Sequence, residues 1–227
     1  MLRAKVSDLC SSESSSPLIL LGAGGHAKVL LSLLLALGRN VIGICDPGLA
    51  MQNLADWRGA RVLGDDAALD KVDPETVELV NGIGQLTGAR FRQALHQKMK
   101  RKGFAFATVI HPAAWVDESA QLAEGVQVMA GVVIQADCVV AEGSIINTKA
   151  SLDHDCRIGE HVHVAPGATL CGGVVVGRET FIGSGATVIQ GKTIGSQAVV
   201  AAGAVVTRDV PAGQLLMGAA ARLRHSG

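Results

Sequence analysis

The chain has 227 residues, of which 48% are hydrophobic and 3% are aromatic, and it contains no Tyr. This length allows one large domain or two domains of modest size. Lysine plus arginine and aspartate plus glutamate each number 20, so the formal net charge is zero. This balance gives no reason to expect a nucleic acid or an anionic membrane surface as a partner.

The N-terminal residues 1–16 are polar and end in the Ser-rich run SSESSSP, so we expect a disordered leader and not a signal peptide. Residues 18–37 are apolar enough to suggest a membrane span. However, polar residues and glycines interrupt the centre of that stretch, which argues against a span: Gly22, Gly24, Gly25, His26 and Lys28.

Residues 17–111 alternate short apolar runs with helical patterns. Strands are predicted over 18–21, 41–45, 62–63, 77–80 and 104–110, and helices over 27–37 and 88–102. Such alternation indicates a small Rossmann-like parallel sheet with helices packed on it. We therefore predict an α/β domain over residues 17–111.

A glycine-rich loop joins the first predicted strand to the first predicted helix. Its sequence, Gly22-Ala23-Gly24-Gly25-His26, would present free backbone N–H groups at a helix N-terminus, where anions bind. The spacing is not the dinucleotide fingerprint GxGxxG, so a mononucleotide or nucleotide-sugar diphosphate fits better than NAD. Asp46, after the second strand, could accept hydrogen bonds from a ribose or base, and Gly82 lies in the NGIG run after the fourth strand. A tight turn without any ligand remains the alternative reading of this loop.

The second half of the chain has a six-residue period. From Val116 to Val206 every sixth residue is Leu, Ile or Val, at sixteen positions without an exception. This period fits neither an α-helix nor an alternating strand. It is typical of a parallel β-helix, in which each hexad forms one short strand and a corner, and three hexads close a triangular turn. We predict that residues 112–227 form this prism and a short C-terminal tail.

The five cysteines are an odd number without CxxC or other metal spacing, which favours reduced thiols in a cytoplasm. Cys138 and Cys156 are eighteen residues apart, which is one full turn of the predicted prism. We therefore expect them to stack as core thiols.

One histidine of the prism has a chemically suggestive neighbour. His154 falls at a corner, and Gly172, eighteen residues later, should lie about 4.8 Å away on the next coil. An imidazole beside a bare glycine backbone could act as a base with an oxyanion donor. The alternatives are a solvated surface histidine, or zinc bound by His161 and His163, although the spacing of these histidines fits a zinc site poorly.

Several motifs together resemble the sialic-acid O-acetyltransferase and bacillosamine N-acetyltransferase family of hexapeptide-repeat enzymes. The resemblance spans residues 18–223 and rests on LGAGGHAKV, GDD, NGIG, IHP, NTKASLDHDC and VVTRDVPAG. It implies a nucleotide-sugar-binding head followed by a left-handed β-helix. One departure is the tail Gly218-Ala219-Ala220, where relatives often have a proline.

The resemblance also implies a role for individual residues. His154 resembles the general base, Asp155 the acidic residue that orients it, and Gly172 the backbone contact to the thioester carbonyl. Asn147 and His163 resemble further active-site residues near the acceptor. The acceptor's phosphates would rest on Gly24, Gly25 and His26, and acetyl-CoA, without any metal, would contact Gly172, Ser184 and Ala202.

The family implies a cytoplasmic homotrimer that acetylates the 4-amino group of a UDP- or GDP-linked 4-amino-4,6-dideoxy sugar. No acyl-enzyme is needed, because the amine can attack acetyl-CoA directly while the histidine takes its proton. Two alternatives stay open at this point. One is an O-acetyltransferase acting on a hydroxyl of a sugar such as sialic acid, and the other is a non-catalytic trimeric binding protein.

Overall fold

The computed structural model describes residues 16–85 and 90–219. Most of the expected leader, the start of the predicted helix over 88–102 and the end of the tail therefore lie outside the described residues. Among the residues that are described, no helix is long and apolar enough to span a membrane.

The first domain, called the head below, is built on a six-stranded sheet. Its strands lie in the order β3-β4-β2-β1-β5-β6, and all neighbours are parallel except the pair β3 and β4. Their bounds are β1 Leu18–Leu21, β2 Val41–Cys45, β3 Asp56–Trp57, β4 Ala60–Gly64, β5 Glu78–Asn81 and β6 Ala105–Phe106. The sequence LILL of β1 is buried at every residue, as expected for a central strand covered on both faces.

In the described part of the chain, three α-helices and one 3-10 helix accompany this sheet: α1 Gly25–Ala36, α2 Pro47–Met51, η1 Asp66–Lys71 and α3 Phe91–Arg101. Helix α1 begins at Gly25, before its predicted start at residue 27, and Gly24, whose backbone is extended, is its N-cap. The short helix α2 was not predicted. Its sequence signals are Asp46, whose carboxylate accepts from the Leu49 N–H, and Pro47 in the first turn.

The strand predicted over 104–110 is two strands that belong to different sheets. Strand β6 closes the head sheet, whereas β7, Val109–Ile110, pairs with β10, Gln127–Val128. Thus the first strand of the prism lies upstream of the predicted boundary at residues 111–112. The apolar run continues through this junction, so hydrophobicity alone does not mark it.

The second domain is a left-handed parallel β-helix with three flat faces of stacked two-residue strands. The seven-stranded face holds β7, β10, β13 Ile145–Ile146, β16 His163–Val164, β19 Phe181–Ile182, β22 Val199–Val200 and β24 Leu215–Leu216. The six-stranded face holds β8 Trp115–Val116, β11 Val133–Ile134, β14 Ser151–Leu152, β17 Thr169–Leu170, β20 Thr187–Val188 and β23 Val205–Val206. The five-stranded face holds β9 Gln121–Leu122, β12 Val139–Val140, β15 Arg157–Ile158, β18 Val175–Val176 and β21 Thr193–Ile194.

The core of the prism is a column of the predicted aliphatics. Fifteen of the sixteen are buried, and Val116 at the first coil is partly buried. Parallel partners are eighteen residues apart, as in the pairing of Ile146 with Val164. Cys138 and Cys156 are fully buried in this column as free thiols, which confirms the predicted stack.

The head packs against the seven-stranded face, which we call the head face. Contacts run from helix α3 to the glutamates at one border of that face: His96 to Glu142 at 2.8 Å, and Lys100 to Glu124 at 2.7 Å. The corner between the six- and five-stranded faces lies opposite the head face, and we call it the distal edge. The two names matter because the predicted site residues divide between these two places.

Candidate functional site

The distal edge carries His154 and Asp155, in the corner between β14 and β15. Both side chains are exposed, and His154 Nδ1 lies 2.8 Å from Asp155 Oδ2. Because a carboxylate accepts hydrogen bonds, Nδ1 carries the proton and Nε2 is left with a free lone pair. The hydrogen bond that His154 donates to Asp155, followed by the charge of Asp153, raises the pKa of His154 above its usual value.

Gly172 lies directly against this imidazole, as the eighteen-residue spacing predicts. The Gly173 N–H donates to the His154 carbonyl at 2.8 Å, which fixes the two coils in register. A Cβ atom on Gly172 would come within 2.5 Å of His154 Nε2, so no other residue fits without moving the ring. Within the described part of the chain, no hydrogen bond uses the Gly172 N–H, which leaves a backbone donor beside the basic nitrogen.

Asn147 and His163 lie on the head face and not at the distal edge. Asn147 Oδ1 accepts from the Thr148 N–H at 2.8 Å, so the amide nitrogen faces His163 Nε2 at 3.1 Å and donates to it. His163 is buried, and burial together with the proximity of His26 lowers its pKa to about 4. Within one chain, the five predicted catalytic residues therefore form two groups on opposite sides of the prism.

The glycine loop has the geometry of an anion site. Gly22 has a φ of +86° and turns the chain out of β1, and Gly24 caps helix α1. A Cβ on Gly24 or Gly25 would have no heavy atom within 4 Å, so the space above the helix N-terminus is open. The first N–H groups of a helix point into this kind of space and favour phosphate.

Asp46 and Gly82 support the glycine loop through contacts with its backbone. One Asp46 oxygen accepts from the Ala23 N–H at 2.9 Å and the other from the Leu49 N–H at 2.9 Å. A Cβ on Gly82 would lie 2.7 Å from the Leu21 carbonyl oxygen, so this glycine permits β1 and β5 to end side by side. The structure therefore places both predicted ligand residues in contact with the loop itself.

His26 turns away from the open loop towards the head face. Its Nε2 lies 2.8 Å from Gln127 Oε1, and burial followed by the charge of Arg92 lowers its pKa to about 4. An uncharged ring provides no net charge for phosphate. The predicted phosphate contact therefore rests on the backbone of Gly24 and Gly25.

Two residues that the sequence did not single out hold this region together. Arg92, in helix α3, is buried, and its guanidinium donates to the carbonyls of Asn81 at 2.7 Å, Ile83 at 2.8 Å and Gly143 at 3.3 Å. Gln127 is 1% exposed although it occupies the outward position of β10. A polar residue at that hexad position is not unusual, so no sequence signal distinguishes Gln127; only the packed head reveals its burial.

Ser184 and Ala202 lie at the corner between the head face and the six-stranded face, the corner that Asn147 begins on an earlier coil. They are exposed and stacked on successive coils, with the Gly203 N–H donating to the Ser184 carbonyl at 2.9 Å. They are therefore neighbours, as predicted, but they lie at a different corner from His154.

Comparison with known proteins matches both halves of the chain. Residues 17–99 match the PglD N-terminal domain, and residues 155–190 match the bacterial transferase hexapeptide (six repeats) model. A search of curated proteins finds no match.

Several solved structures are similar over nearly the whole chain. PerB from Caulobacter crescentus, in complex with CoA and GDP-perosamine, has 42% identity and a TM-score of 0.80, covering 90% of this chain and 95% of that one. A histidine-to-asparagine variant of perosamine N-acetyltransferase from the same organism, also with CoA and GDP-perosamine, has 39% identity and a TM-score of 0.81, covering 95% and 100%. The acetyltransferase domain of PglB from Neisseria gonorrhoeae, in complex with acetyl coenzyme A, has 35% identity and a TM-score of 0.81, covering 89% and 96%.

Proposed function

Because the chain belongs to the CoA-dependent sugar N-acetyltransferases that join a PglD N-terminal domain to a hexapeptide β-helix, we propose that it acetylates a nucleotide-linked amino sugar. The acceptor is the 4-amino group of a UDP- or GDP-linked 4-amino-4,6-dideoxy sugar, and the donor is acetyl-CoA. The observation that carries this proposal is the 42% identity to a protein solved with CoA and GDP-perosamine.

His154 serves as the general base in this proposal. The acceptor amine is mostly protonated at neutral pH, and it becomes a nucleophile only when it loses a proton. The ammonium first releases one proton to solvent, and Nε2 of His154 takes a second proton from the nitrogen as the neutral amine bonds to the thioester carbonyl carbon. The Gly172 N–H stabilises the oxyanion of the tetrahedral intermediate, whose collapse breaks the C–S bond. The CoA thiolate leaves and is reprotonated by the imidazolium or by solvent.

The substrates are assigned to the open surfaces. The sugar nucleotide's phosphates bind the N–H groups of Gly24 and Gly25 at the start of helix α1. The pantetheine amides bind the exposed backbone at Ser184 and Ala202.

A homotrimer accounts for the separation of the site residues. Since His154 lies opposite the head of its own chain, a neighbouring protomer must bring a head and a His163 close to it. Exposed apolar side chains on the two faces beside the distal edge support such contacts: Trp115, Val175 and Val205. The supply of acetyl-CoA inside cells and the free thiols of the described cysteines support a cytoplasmic location.

The test is an acetyl-CoA turnover assay that follows release of the free thiol. The panel holds UDP- and GDP-linked 4-amino-4,6-dideoxy sugars, their 4-keto precursors and free sialic acid, each with wild type and His154→Ala. We expect release with one nucleotide-linked amino sugar and a loss of about 10²–10⁴-fold in kcat in the variant. The variant His111→Asn is the matched control and should retain activity.

Two other outcomes would change the assignment. Release with sialic acid alone would make the protein an O-acetyltransferase. A loss of less than threefold in folded His154→Ala would remove His154 from the mechanism.

A further inference from the structure

A buried chain of amide contacts links the head to the β-helix and ends on His26. Gln127 Nε2 donates to the Asn81 carbonyl at 2.9 Å, and Gln127 Oε1 lies 2.8 Å from His26 Nε2. The same Asn81 carbonyl accepts from Arg92 at 2.7 Å. Asn81, Arg92 and Gln127 are at most 3% exposed, so water does not compete for these bonds.

The orientation of the Gln127 amide determines which nitrogen of His26 is protonated. Since the amide nitrogen donates to a carbonyl, the oxygen must face His26, and an amide oxygen only accepts. His26 Nε2 therefore carries the hydrogen. In a neutral ring the other nitrogen, Nδ1, is then a hydrogen-bond acceptor. Nδ1 has no hydrogen bond in the described part of the chain.

The surroundings of His26 also keep it uncharged. Arg92 is a buried cation, and its hydrogen-bond partners in the described region are backbone carbonyls and not carboxylates. Among the described residues, the other titratable group facing His26 is His163, which is itself neutral. A protonated His26 would have to share this space with an uncompensated guanidinium.

We propose that Gln127 is a positioning residue, which together with Arg92 holds His26 as a neutral ring whose Nδ1 accepts a hydrogen bond from a hydroxyl or ammonium of the acceptor sugar. An unprotonated nitrogen repels phosphate oxygens, so His26 selects the sugar and not the diphosphate. The claim that Nδ1 binds the sugar rests on the proposed function. The claim that His26 is neutral with its hydrogen on Nε2 is independent of that function.

The protonation state is tested first, on the free full-length protein labelled with ¹³C in its histidine rings. The ring-carbon shifts distinguish the two neutral tautomers, and the signal lost in His26→Gln assigns the residue. We expect the Nε2–H form in wild type at pH 7, a mixture of tautomers in Gln127→Met, and protonation at higher pH in Gln127→Glu. His163, with its Nε2 accepting from Asn147, provides an internal reference for the opposite tautomer. A wild-type His26 that is protonated, or that carries its hydrogen on Nδ1, overturns the proposal.

Calorimetric binding then separates sugar from phosphate. Gln127→Met should weaken binding of the nucleotide-linked amino sugar about 10-fold or more, and it should change the Kd of plain UDP or GDP by less than threefold. Gln52→Met, the same change at an exposed position of the head, should affect neither ligand. Equal weakening of both ligands would assign His26 to the phosphates, and no weakening of either would remove Gln127 from substrate positioning. If the panel of sugars gives no turnover, the ring-carbon spectrum still shows which tautomer His26 adopts. A failure of the proposed function can therefore be distinguished from a failure of the proposed role of Gln127.

Turnover supplies a further readout that a purely structural role of Gln127 would not change. In Gln127→Glu the carboxylate favours the protonated ring. The acid side of the kcat/KM profile should therefore steepen from one ionisation, that of His154, to two. An unchanged slope together with an unchanged His26 spectrum would contradict the proposed coupling.

Discussion

Histidines occupy two contrasting regions of this molecule. At the distal edge, His154 is exposed beside Asp153 and Asp155, and these carboxylates raise its pKa. At the seam between head and prism, burial lowers the pKa of His26, His161 and His163 to about 4 each. His154 bonds to a carboxylate, whereas His26 and His163 bond to neutral amides. His96, also at the seam, bonds to the Glu142 carboxylate, yet burial still lowers its pKa.

The contrast shows how one residue type can serve two purposes in one enzyme. A base must both gain and lose a proton near neutral pH, which requires water and a counter-charge. A ring that only orients a ligand is better kept neutral, which burial near a cation achieves. The following predictions test this division, starting with the largest expected effect.

Gly172→Ala should displace the His154 ring, which packs directly against Gly172 at the distal edge. The new Cβ would lie 2.5 Å from His154 Nε2 and would push the ring aside. Because misplacement of a catalytic group by about 1 Å can cost roughly 10²-fold, we expect kcat to fall by about that factor. Thermal unfolding should change little, since the ring is exposed and free to move. Full activity would show that the position of the ring at Gly172 is unimportant.

Asp155→Asn should shift the pH profile of activity. His154 must be neutral to act, so activity falls as the pH drops through its raised pKa. Removing the carboxylate, the main cause of that raised pKa, moves the midpoint of kcat/KM to lower pH. We also expect kcat to fall about tenfold, because an amide can hold the ring in either tautomer. Asn tolerates the φ of +60° at this corner, so the fold should survive. A midpoint that stays in place would show that Asp155 does not control the base.

His161→Asn should make the protein's stability less dependent on acid. The folded-state pKa of His161 is about 4, compared with about 6.5 in an unfolded chain. The unfolded chain binds the extra proton between these values, so stability is full above about pH 6.5 and falls as the pH drops towards 4. Without this group, the loss of Tm between pH 7.5 and 5.0 should shrink by about 4–8 °C, which corresponds to roughly 2 kcal/mol.

The groups around His161 are His96 and Arg92, which lower its pKa, and Glu142 and Glu179, which raise it. Glu142→Gln is therefore the companion variant, and it should increase the sensitivity to acid. If neither variant alters the pH dependence of Tm, His161 is not an acid-sensitive group of the protein.

Lys100→Met should have the smallest effect, although Lys100 also bridges head and prism. Its pair with Glu124 is solvent-exposed, and exposed ion pairs contribute about 1 kcal/mol or less. Urea titration should show a small loss at low salt that vanishes at high salt. A larger loss from Lys100→Met than from the buried Gln127→Met would reverse the ranking of exposed and buried contacts at the seam.

Much of the prism was predictable because each hexad is a local unit. The aliphatic period gave every strand from β8 to β23, and the spacing of eighteen placed Gly172 against His154. The head was less predictable. Helix α2 was missed, and the run over 104–110 was divided between two sheets, because hydrophobicity does not tell which sheet a strand joins.

What the sequence determined by itself is the β-helix, the glycine loop and the identity of the edge residues, since each follows from a periodic pattern or a contiguous motif. Only the tertiary structure decided that His154 lies opposite Asn147 and His163, because the direction of a corner depends on how the coils wind and where the head packs. It also decided that Gln127 and Arg92 are buried beside His26. These contacts join residues from separate domains, and a polar side chain becomes buried there only when another domain covers it.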